Sequence, residues 1–291
     1  MQGVDGIHDD VVETEIQGIL EPLYSNSVLA NLGVRFYTGV PKGDYQFPIM
    51  GKGTVGWAGE ITAAAASGNE FTNVKLSPKR LTAYVDISKQ LLLQDTVGVE
   101  NAIRRDLANA IADKLQATIL SGLKKTDTHP AGILYGKSAA DVSTFANLTN
   151  LEAGVETNNV FGEMKYLVTP AAKGKLRAMA KSTKSTELVM QNGEIDGTPV
   201  YVTSGLDAIT VYNGNSKADD NTIADASLAA TGTNIVYGDF STILVASWGD
   251  VEIIVDEVSQ AVNGCVRLIV NAYFDAAVAR PEALAFGAVT V

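Results

Sequence analysis

The stretch VGVENAIRRDLANAIADKLQATILSG, residues 97–122, decides the fold of this chain. Within it an apolar residue recurs at every fourth position. These residues are Ile103, Leu107, Ile111, Leu115 and Ile119. Because residues four apart share one face of an α-helix, the spacing predicts a long amphipathic helix packed on a sheet. At 1.5 Å per residue it would be about 39 Å long, whereas a helix of about 11–12 residues is usual.

Residues 47–87, directly before this helix, predict a long two-stranded hairpin. The alternation of apolar residues changes phase after Ser77-Pro78. A phase change at a proline is typical of a bulge, or of a bend between two regions of sheet. We therefore expect the hairpin to be interrupted at this proline, either by a bulge or by a bend between two sheet regions.

The tip of that hairpin, ITAAAASG at 61–68, consists mainly of small residues. It offers little apolar mass for packing within its own subunit, so it is either a loose loop or a segment that rests on another molecule. We expect Trp57 and Phe71 to mark where the hairpin meets a neighbour or the body of the subunit. Residues 1–46 likewise predict an arm that needs a neighbouring surface to become ordered.

The remainder of the chain predicts a mixture of strands and helices. Tyr166–Val168 is typical of a buried strand, and Thr169-Pro170 begins a helix as N-cap and first helical residue. A polar insertion, predicted as a mobile surface loop, occupies 213–234. Further strands are predicted at Thr242–Trp248, Val251–Val255, Val266–Phe274 and Ala283–Val291. The elements do not alternate regularly, so the predicted class is α+β.

Composition excludes several classes of protein. The 291 residues carry 33 acids against 22 bases, a net charge of −11, which argues against a free-standing nucleic-acid binder and against an anionic membrane surface. No run approaches ~20 consecutive apolar residues, and residues 1–15 are polar and acidic, unlike a signal peptide. The single cysteine, Cys265, is expected to be a buried structural thiol in a reducing compartment.

The sequence contains no recognisable group of catalytic residues. His8 and His129 lie outside any zinc-binding pattern, and no nucleophile elbow, P-loop or dinucleotide fingerprint is present. Asp9-Asp10 and 219–221 lack calcium-loop spacing, which favours solvated surface charge. Lys79-Arg80 is likewise expected on a solvated face or in a salt bridge. We therefore predict no enzyme, and no catalytic, cofactor-binding or metal-binding residues.

The densest group of basic residues lies on or after one predicted helix. They are Lys173, Lys175, Arg177, Lys181 and Lys184. Their position near a helix C-terminus favours a solvated face that complements the helix dipole. An inner-surface or axis-lining patch that touches DNA or a partner is the alternative. Weak duplex binding without sequence preference is expected of unassembled subunits.

Six segments, in this order, resemble the major capsid protein of tailed phages, which has the Hong Kong 97-like fold. They are VGWAGE at 55–60, NEFTNVKLSPKRLTAYVDISKQLL at 69–92, PAGIL at 130–134, YLVTPAAKGKL at 166–176, G-x-P-V at 197–200 and VARPEAL at 278–284. Each motif alone is weak, but their order and spacing together are fairly specific. The resemblance covers about residues 20 to 290.

The resemblance implies an α+β chain with four parts. These are an N-terminal arm (1–46), an extended hairpin loop (47–80), a peripheral domain with a long spine helix (81–133 and 241–271) and an axial domain (134–240 and 272–291). It implies a structural protein, with no cofactor, that self-assembles as pentamers and hexamers into an icosahedral shell around a double-stranded DNA phage genome. An encapsulin-like nanocompartment shell around cargo enzymes and an unrecognised soluble hydrolase are the alternatives.

Further expectations follow from the same resemblance. The chain would belong to a virion capsid assembled in the bacterial host cytoplasm, with scaffolding, portal and decoration proteins as partners, weak contact with packaged DNA and no membrane. Many relatives begin with a scaffolding segment that a protease removes; none is recognisable here, which implies a separate scaffold or a processed form. Some relatives crosslink a lysine to a neighbour's asparagine with help from a glutamate. The matching positions are Ile61, Gly264 beside Asn263, and Asn271, so this activity is not expected.

Overall fold

A computed structural model describes residues 27–50, 71–94, 99–137, 139–160, 162–182, 184, 186–206, 232–249 and 251–290. The helices in chain order are α1 (Val28–Leu32), α2 (Lys89–Gln94), α3 (Val99–Ile119), α4 (Phe145–Glu156) and α5 (Pro170–Ala178). The first seven strands are β1 (Arg35–Tyr37), β2 (Tyr45–Met50), β3 (Phe71–Leu76), β4 (Lys79–Ser88), β5 (Ala140–Asp141), β6 (Lys165–Val168) and β7 (Met190–Gln191). The others are β8 (Glu194–Ile195), β9 (Thr198–Val202), β10 (Gly232–Gly238), β11 (Ile243–Ser247), β12 (Glu252–Asp256), β13 (Cys265–Val278) and β14 (Leu284–Thr290).

The predicted spine helix is α3, and its apolar stripe is confirmed. Leu107, Ile111, Leu115 and Ile119 are buried, and they pack against the inward face of a sheet that includes Leu268. The described helix has 21 residues, shorter than the 26 of the predicted stretch, and is about 32 Å long. It ends at Ile119, and the Ser121 hydroxyl, just beyond, donates to the Thr118 carbonyl of the last turn at 2.6 Å.

The PAGIL segment completes the end of that helix. Ile133 donates its amide to the Ile119 carbonyl at 2.8 Å, and Leu134 donates to the Ser121 carbonyl at 3.2 Å. These bonds satisfy carbonyls that a helix end leaves without partners. Gly132 permits the close approach, since a Cβ there would lie 1.9 Å from the Ser121 oxygen. The motif is therefore a helix-terminating element.

The sheet under the spine helix has five described strands with β13 at its centre. β4 pairs with one side of β13 along ten residues, while β12 and then β11 pair with the other side. β1 adds in parallel to β11. Leu268 and Val270 face the helix, whereas Arg267 and Ile269 face the opposite way, as the period of two requires.

A second, seven-stranded sheet runs in the order β5-β14-β10-β6-β9-β8-β7. Its residues alternate between two cores: Leu167 and Val236 face the core of the spine helix, while Tyr166 and Ile235 face α4 and α5. Thr169 caps α5 by accepting from the Ala172 amide at 3.3 Å. The predicted buried strand and the predicted N-cap are thus both confirmed.

The hairpin separates into two sheets, so of the two interpretations of the phase change the bend is confirmed and the bulge is not. β2 and β3 pair with each other, whereas β4, two residues further on, belongs to the five-stranded sheet. Ser77-Pro78 is the bend. Val55, Trp57 and the tip at 61–68 lie outside the described residues, so nothing is established about that part of the prediction.

Other sequence expectations need correction. The interpretation of 213–234 as a surface loop is wrong at its end, because β10 starts at Gly232 and Asn234 is fully buried. The helix α4 was not predicted at all, although Thr144 caps it and three buried apolar residues follow helical spacing. Those residues are Leu148, Leu151 and Val155.

Candidate assembly surfaces

The root of the hairpin is packed firmly on the body of the subunit. Leu76, Ala246 and Trp248 form a small buried cluster, and Phe47 packs against it. The Trp248 indole Nε1 donates to the Gly43 carbonyl at 2.8 Å. Phe71, where the described part of the return strand begins, is 67% exposed. The hairpin therefore leaves the body from a fixed base, with apolar surface uncovered farther out.

The face of the five-stranded sheet opposite the spine helix is open. Tyr84, Ile269 and Ile254 stand side by side on three neighbouring strands, and Tyr84 and Ile254 are exposed. Arg267 stacks on the Tyr84 ring at 4.5 Å and donates to the Asp86 carboxylate. The hydrogen bond from Arg267 lowers the pKa of Asp86 below its ordinary value. This open face combines apolar side chains with a fixed charge pair.

An apolar surface also lies at one end of the same sheet, which we call the distal surface. It consists of Leu91, Leu93, Val258 and Val262, with Leu93 87% and Val262 fully exposed. The Lys89 amide donates to the Gly264 carbonyl at 2.8 Å and so joins α2 to the turn that carries the valines. Large apolar side chains this exposed mark an interaction site when they are grouped.

The Asp256 carboxylate shapes that turn. It accepts the amides of Val258 and Ser259, each at 2.9 Å. Hydrogen bonds, chiefly with Ser259, lower the pKa of Asp256 below its ordinary value. The valines are thus held outward by a defined turn.

A polar cluster of two buried tyrosines and the partly buried Glu152 lies between α4 and the seven-stranded sheet. The Tyr166 hydroxyl donates to Glu152, and the Tyr237 ring stacks on the Tyr166 ring at 4.7 Å. Burial raises the pKa of Glu152, although the hydrogen bond from Tyr166 acts in the opposite direction. Burial likewise raises the pKa of Tyr237 to about 12. No nucleophile–base pair accompanies them among the described residues, so the cluster is a structural contact.

The histidines and acidic residues considered in the sequence as possible metal ligands or catalysts do not form a common site among the described residues. His129 contacts the Pro130 carbonyl through Nδ1 at 3.1 Å, while His8, Asp9-Asp10 and 219–221 lie outside the described residues. Within the described ranges no three potential metal ligands are grouped. None of the described helices is long and apolar enough to cross a membrane.

Two residue predictions are wrong. Lys79 is buried instead of solvated, it forms no ion pair with another described residue, and its Nζ donates to the Thr126 carbonyl at 2.5 Å. Cys265 is partly exposed because it begins β13 at the sheet end, instead of lying in the core. Neither environment could be read from neighbouring residues in the sequence.

The basic group on and after α5 is partly neutralised. Lys181 forms salt bridges with Glu187 at 2.9 Å and with Asp196 at 2.8 Å, and these hydrogen bonds, first that of Asp196, raise the pKa of Lys181. Lys175 and Arg177 lie in the last turn of α5, as the helix dipole favours.

The crosslink positions are placed in part. Gly264 has a φ of 65° and ends the turn that carries Val258 and Val262. Asn271 lies on the open face, and its Oδ1 is buried without a hydrogen-bond partner among the described residues. Ile61 lies outside the described residues.

The fold and these surfaces define the class of protein. Over residues 10–289 the sequence matches the model of the phage capsid family. The chain belongs to the phage capsid family.

Known proteins support the same class. The chain is 25% identical over 270 residues to the major capsid protein of Halomonas phage phiHAP-1; the match covers 90% of this chain and 40% of that protein. The chain thus spans about 40% of the length of the curated relative it matches. The capsid chain of an empty GTA particle, computed with C5 symmetry, superposes with a TM-score of 0.68 at 16% identity, covering 100% of this chain and 95% of the other.

A chain of Microbacterium phage Oxtober96 superposes equally well, with a TM-score of 0.68 at 14% identity and the same coverage. These similarities confirm the predicted α+β, Hong Kong 97-like capsid fold. The alternatives of an encapsulin-like shell and of a soluble hydrolase are not favoured, because the matches named here are to phage and GTA capsids.

Proposed function

We propose that this chain is a major capsid protein that self-assembles into an icosahedral shell enclosing a double-stranded DNA phage genome. The observation that carries the proposal is the family match over residues 10–289, on a chain with the capsid fold. The role is structural, with no catalysis and no cofactor.

The described surfaces suit a subunit that is completed by its neighbours. A two-stranded hairpin such as β2–β3 is marginally stable alone, and the structure describes packing on its own subunit at the root. Its outer part would gain stability by lying on a second copy. Closed rings of five and six subunits use such head-to-tail contacts, in which one surface meets a different surface on the next copy.

The open face and the distal surface are the candidate surfaces on which a neighbouring subunit would dock. Tyr84 and Ile254 offer apolar area on the open face, and Leu93 and Val262 offer it on the distal surface. Burial of apolar area contributes roughly 25 cal/mol per Å², from which the cost of ordering the partners is subtracted. A shell held by many such contacts needs no covalent bond between subunits.

We further propose a domain division that follows the two sheets. The peripheral domain would take β1, β4, α3 and β11–β13, so that β13 stays in one domain to Val278. The division expected from the sequence, by contrast, cuts β13 after 271. The axial domain would take β5–β10 and β14, with α4 and α5.

The remaining expectations concern partners and place. Scaffolding, portal and decoration proteins would bind the shell, and the chain would reside in virions assembled in the bacterial cytoplasm. Contact with DNA would be weak and non-specific, since acids outnumber bases by 33 to 22 and Lys181 is paired with two carboxylates.

Particle formation tests the proposal. Purified wild-type protein should form closed particles in negative-stain micrographs and in light scattering, whereas Val262→Asp should remain as small oligomers with an unchanged circular dichroism spectrum. Val262→Ala, at the same position without a charge, is the matched control and should still assemble. A wild-type protein that stays monomeric under all assembly conditions would contradict the proposal.

The hairpin tip gives a second test. Replacing residues 61–68 by a charged loop should impair particle formation while the subunit still folds. Normal particles from that variant would show that the tip is no intersubunit element. Nuclease-resistant DNA in particles from phage lysates, instead of a protein cargo, would separate a capsid from an enzyme-enclosing compartment.

A further inference from the structure

The bend between the hairpin and the five-stranded sheet contains an unusual buried charge. Pairing between β4 and β13 stops at Lys79 and Phe274, and the next residue on β13 is Asp275, whose side chain is 0% exposed. Pro78, on the other strand, has no N–H with which to continue the ladder. An ionisable side chain is therefore buried at the point where the hairpin departs.

Where the strand pairing stops, the Asp275 carboxylate accepts hydrogen bonds from two backbone amides. Its Oδ2 accepts the Ser77 amide at 2.9 Å, and its Oδ1 accepts the Ala276 amide at 2.9 Å. Ser77 and Asp275 are 198 residues apart in the chain. A carboxylate thus replaces the missing strand-to-strand bond and ties the first residue of the bend to the central strand.

Lys125, in the loop after the spine helix, completes the arrangement. Its Nζ donates to the Lys75 carbonyl at 3.2 Å and lies 3.4 Å from the Asp275 Oδ2. Lys75 is the second-last residue of β3, so one ammonium group joins the hairpin, the central strand of the sheet and the loop after the spine helix. Because the Lys125 side chain is 44% exposed, it can be changed with less disturbance than the buried carboxylate.

The hydrogen bonds made by Asp275 and Lys125 control the direction in which the hairpin leaves the sheet. The Leu76–Trp248 cluster holds the inner side of the hairpin root by apolar packing, which is non-directional. Hydrogen bonds to Ser77 and Lys75 fix the orientation of the two backbone units on either side of Leu76, since hydrogen-bond strength depends steeply on angle. Apolar packing therefore keeps the hairpin root in place, and the polar bonds set the line along which β3 leaves the sheet.

We propose that Asp275 and Lys125 are a positioning pair that sets the direction of the hairpin for docking on a second copy of the chain. The proposal rests on the proposed function, in which the outer hairpin lies on a neighbour. A hairpin that swings freely would reach the neighbour in the right orientation only part of the time, which weakens assembly in proportion.

Hydrogen exchange on unassembled subunits tests the positioning itself. Lys125→Met should raise the amide exchange rate of peptides covering residues 71–79 about tenfold, as expected for the loss of one charge-assisted hydrogen bond. Lys114→Met, which removes the same charge from an exposed position of the spine helix, should leave these rates unchanged. Unchanged exchange at 71–79 in Lys125→Met would overturn the proposal.

Assembly of the same variants tests the consequence. Lys125→Met should give fewer closed particles or particles of irregular diameter, and Lys125→Arg, which keeps the cation, should restore both exchange protection and particle yield. Normal particles despite raised exchange would also overturn the positioning role. If the wild type forms no particles, the proposed function fails, while the exchange result on subunits still decides whether the pair orders the hairpin.

Asp275→Asn gives a second line of evidence. The single amide oxygen can accept from Ser77 or from Ala276 but not from both, and the charge attraction to Lys125 is lost. Exchange at 71–79 should then rise at least as much as in Lys125→Met. The double variant should raise it by less than the two single changes together, because both remove the contact between Lys125 and Asp275. Additive effects of the two changes would show that they act separately.

Discussion

Arg267 donates two hydrogen bonds to the Asp86 carboxylate directly opposite it on the neighbouring strand, with N–O distances of 2.6 and 2.8 Å. This bidentate pair joins β4 to β13 on the open face, where the Tyr84 ring stacks on the guanidinium. Fork-like pairs of this kind add geometric specificity to charge attraction. The open face is therefore ordered before any partner arrives.

The Asp86 pair should make the subunit less stable in acid. The folded-state pKa of Asp86 lies below its ordinary 3.8, so its contribution is present above that value and is lost as the pH falls through the depressed pKa. Asp86→Asn should lower the urea midpoint at pH 7, and the difference from wild type should shrink below pH 3.8. Asp106→Asn, on the exposed side of α3, is the control; a difference that persists in acid would contradict the prediction.

Glu152 should give the opposite pH dependence. Burial raises its folded-state pKa above the ordinary 4.5, so stability falls as the pH rises from 4.5 through the raised value. Glu152→Gln can still accept from the Tyr166 hydroxyl without a buried charge, so its thermal midpoint at pH 7 should exceed that of wild type. Its midpoint should also vary less with pH in this range.

The control for Glu152 is an exposed acid on the same helix. Glu156→Gln removes one charge from α4 without touching the hydrogen bond from Tyr166. Because the Glu156 charge raises the pKa of Glu152 less than burial does, most of the slope of stability against pH should remain. A lower midpoint for Glu152→Gln at pH 7 would show that the ionised carboxylate stabilises the fold, contrary to the argument.

The spine helix should depend on its buried stripe. Ile111 is 4% exposed between the helix and the sheet, so Ile111→Ala should cost about 2–5 kcal/mol in the free energy of unfolding by chemical denaturation. Asn109→Ala, on the exposed side of the helix, should change it by no more than about 0.5 kcal/mol. Equal effects of the two changes would contradict the packing.

Particles should contain no covalent bonds between subunits. The positions that match the crosslinking lysine and glutamate of some relatives hold Ile61 and Asn271, so the amine and the assisting carboxylate are both missing. Particles boiled in detergent should run as a single monomer band on a gel. Multimer bands that persist in reductant would contradict this.

The sequence alone determined the features that depend on near neighbours in the chain. The period of four in α3, the cap at Thr169 and the phase change at Ser77-Pro78 all follow from residues within a few positions of one another, and all are confirmed. The order of the six motifs indicated the capsid family, which the match over 10–289 confirms. The helix α4 carried the same local signals, in its cap and its apolar spacing, and was missed.

Only the tertiary structure decided the features that join distant parts of the chain. Lys79 is buried because a carbonyl 47 residues away receives its ammonium group, and Asp275 is buried because an amide 198 residues away donates to it. Cys265 is half exposed because it begins a strand at the end of a sheet. The physical reason is that local backbone preference and apolar period act over a few residues, whereas strand pairing and the satisfaction of buried charges depend on which distant segments the fold brings together.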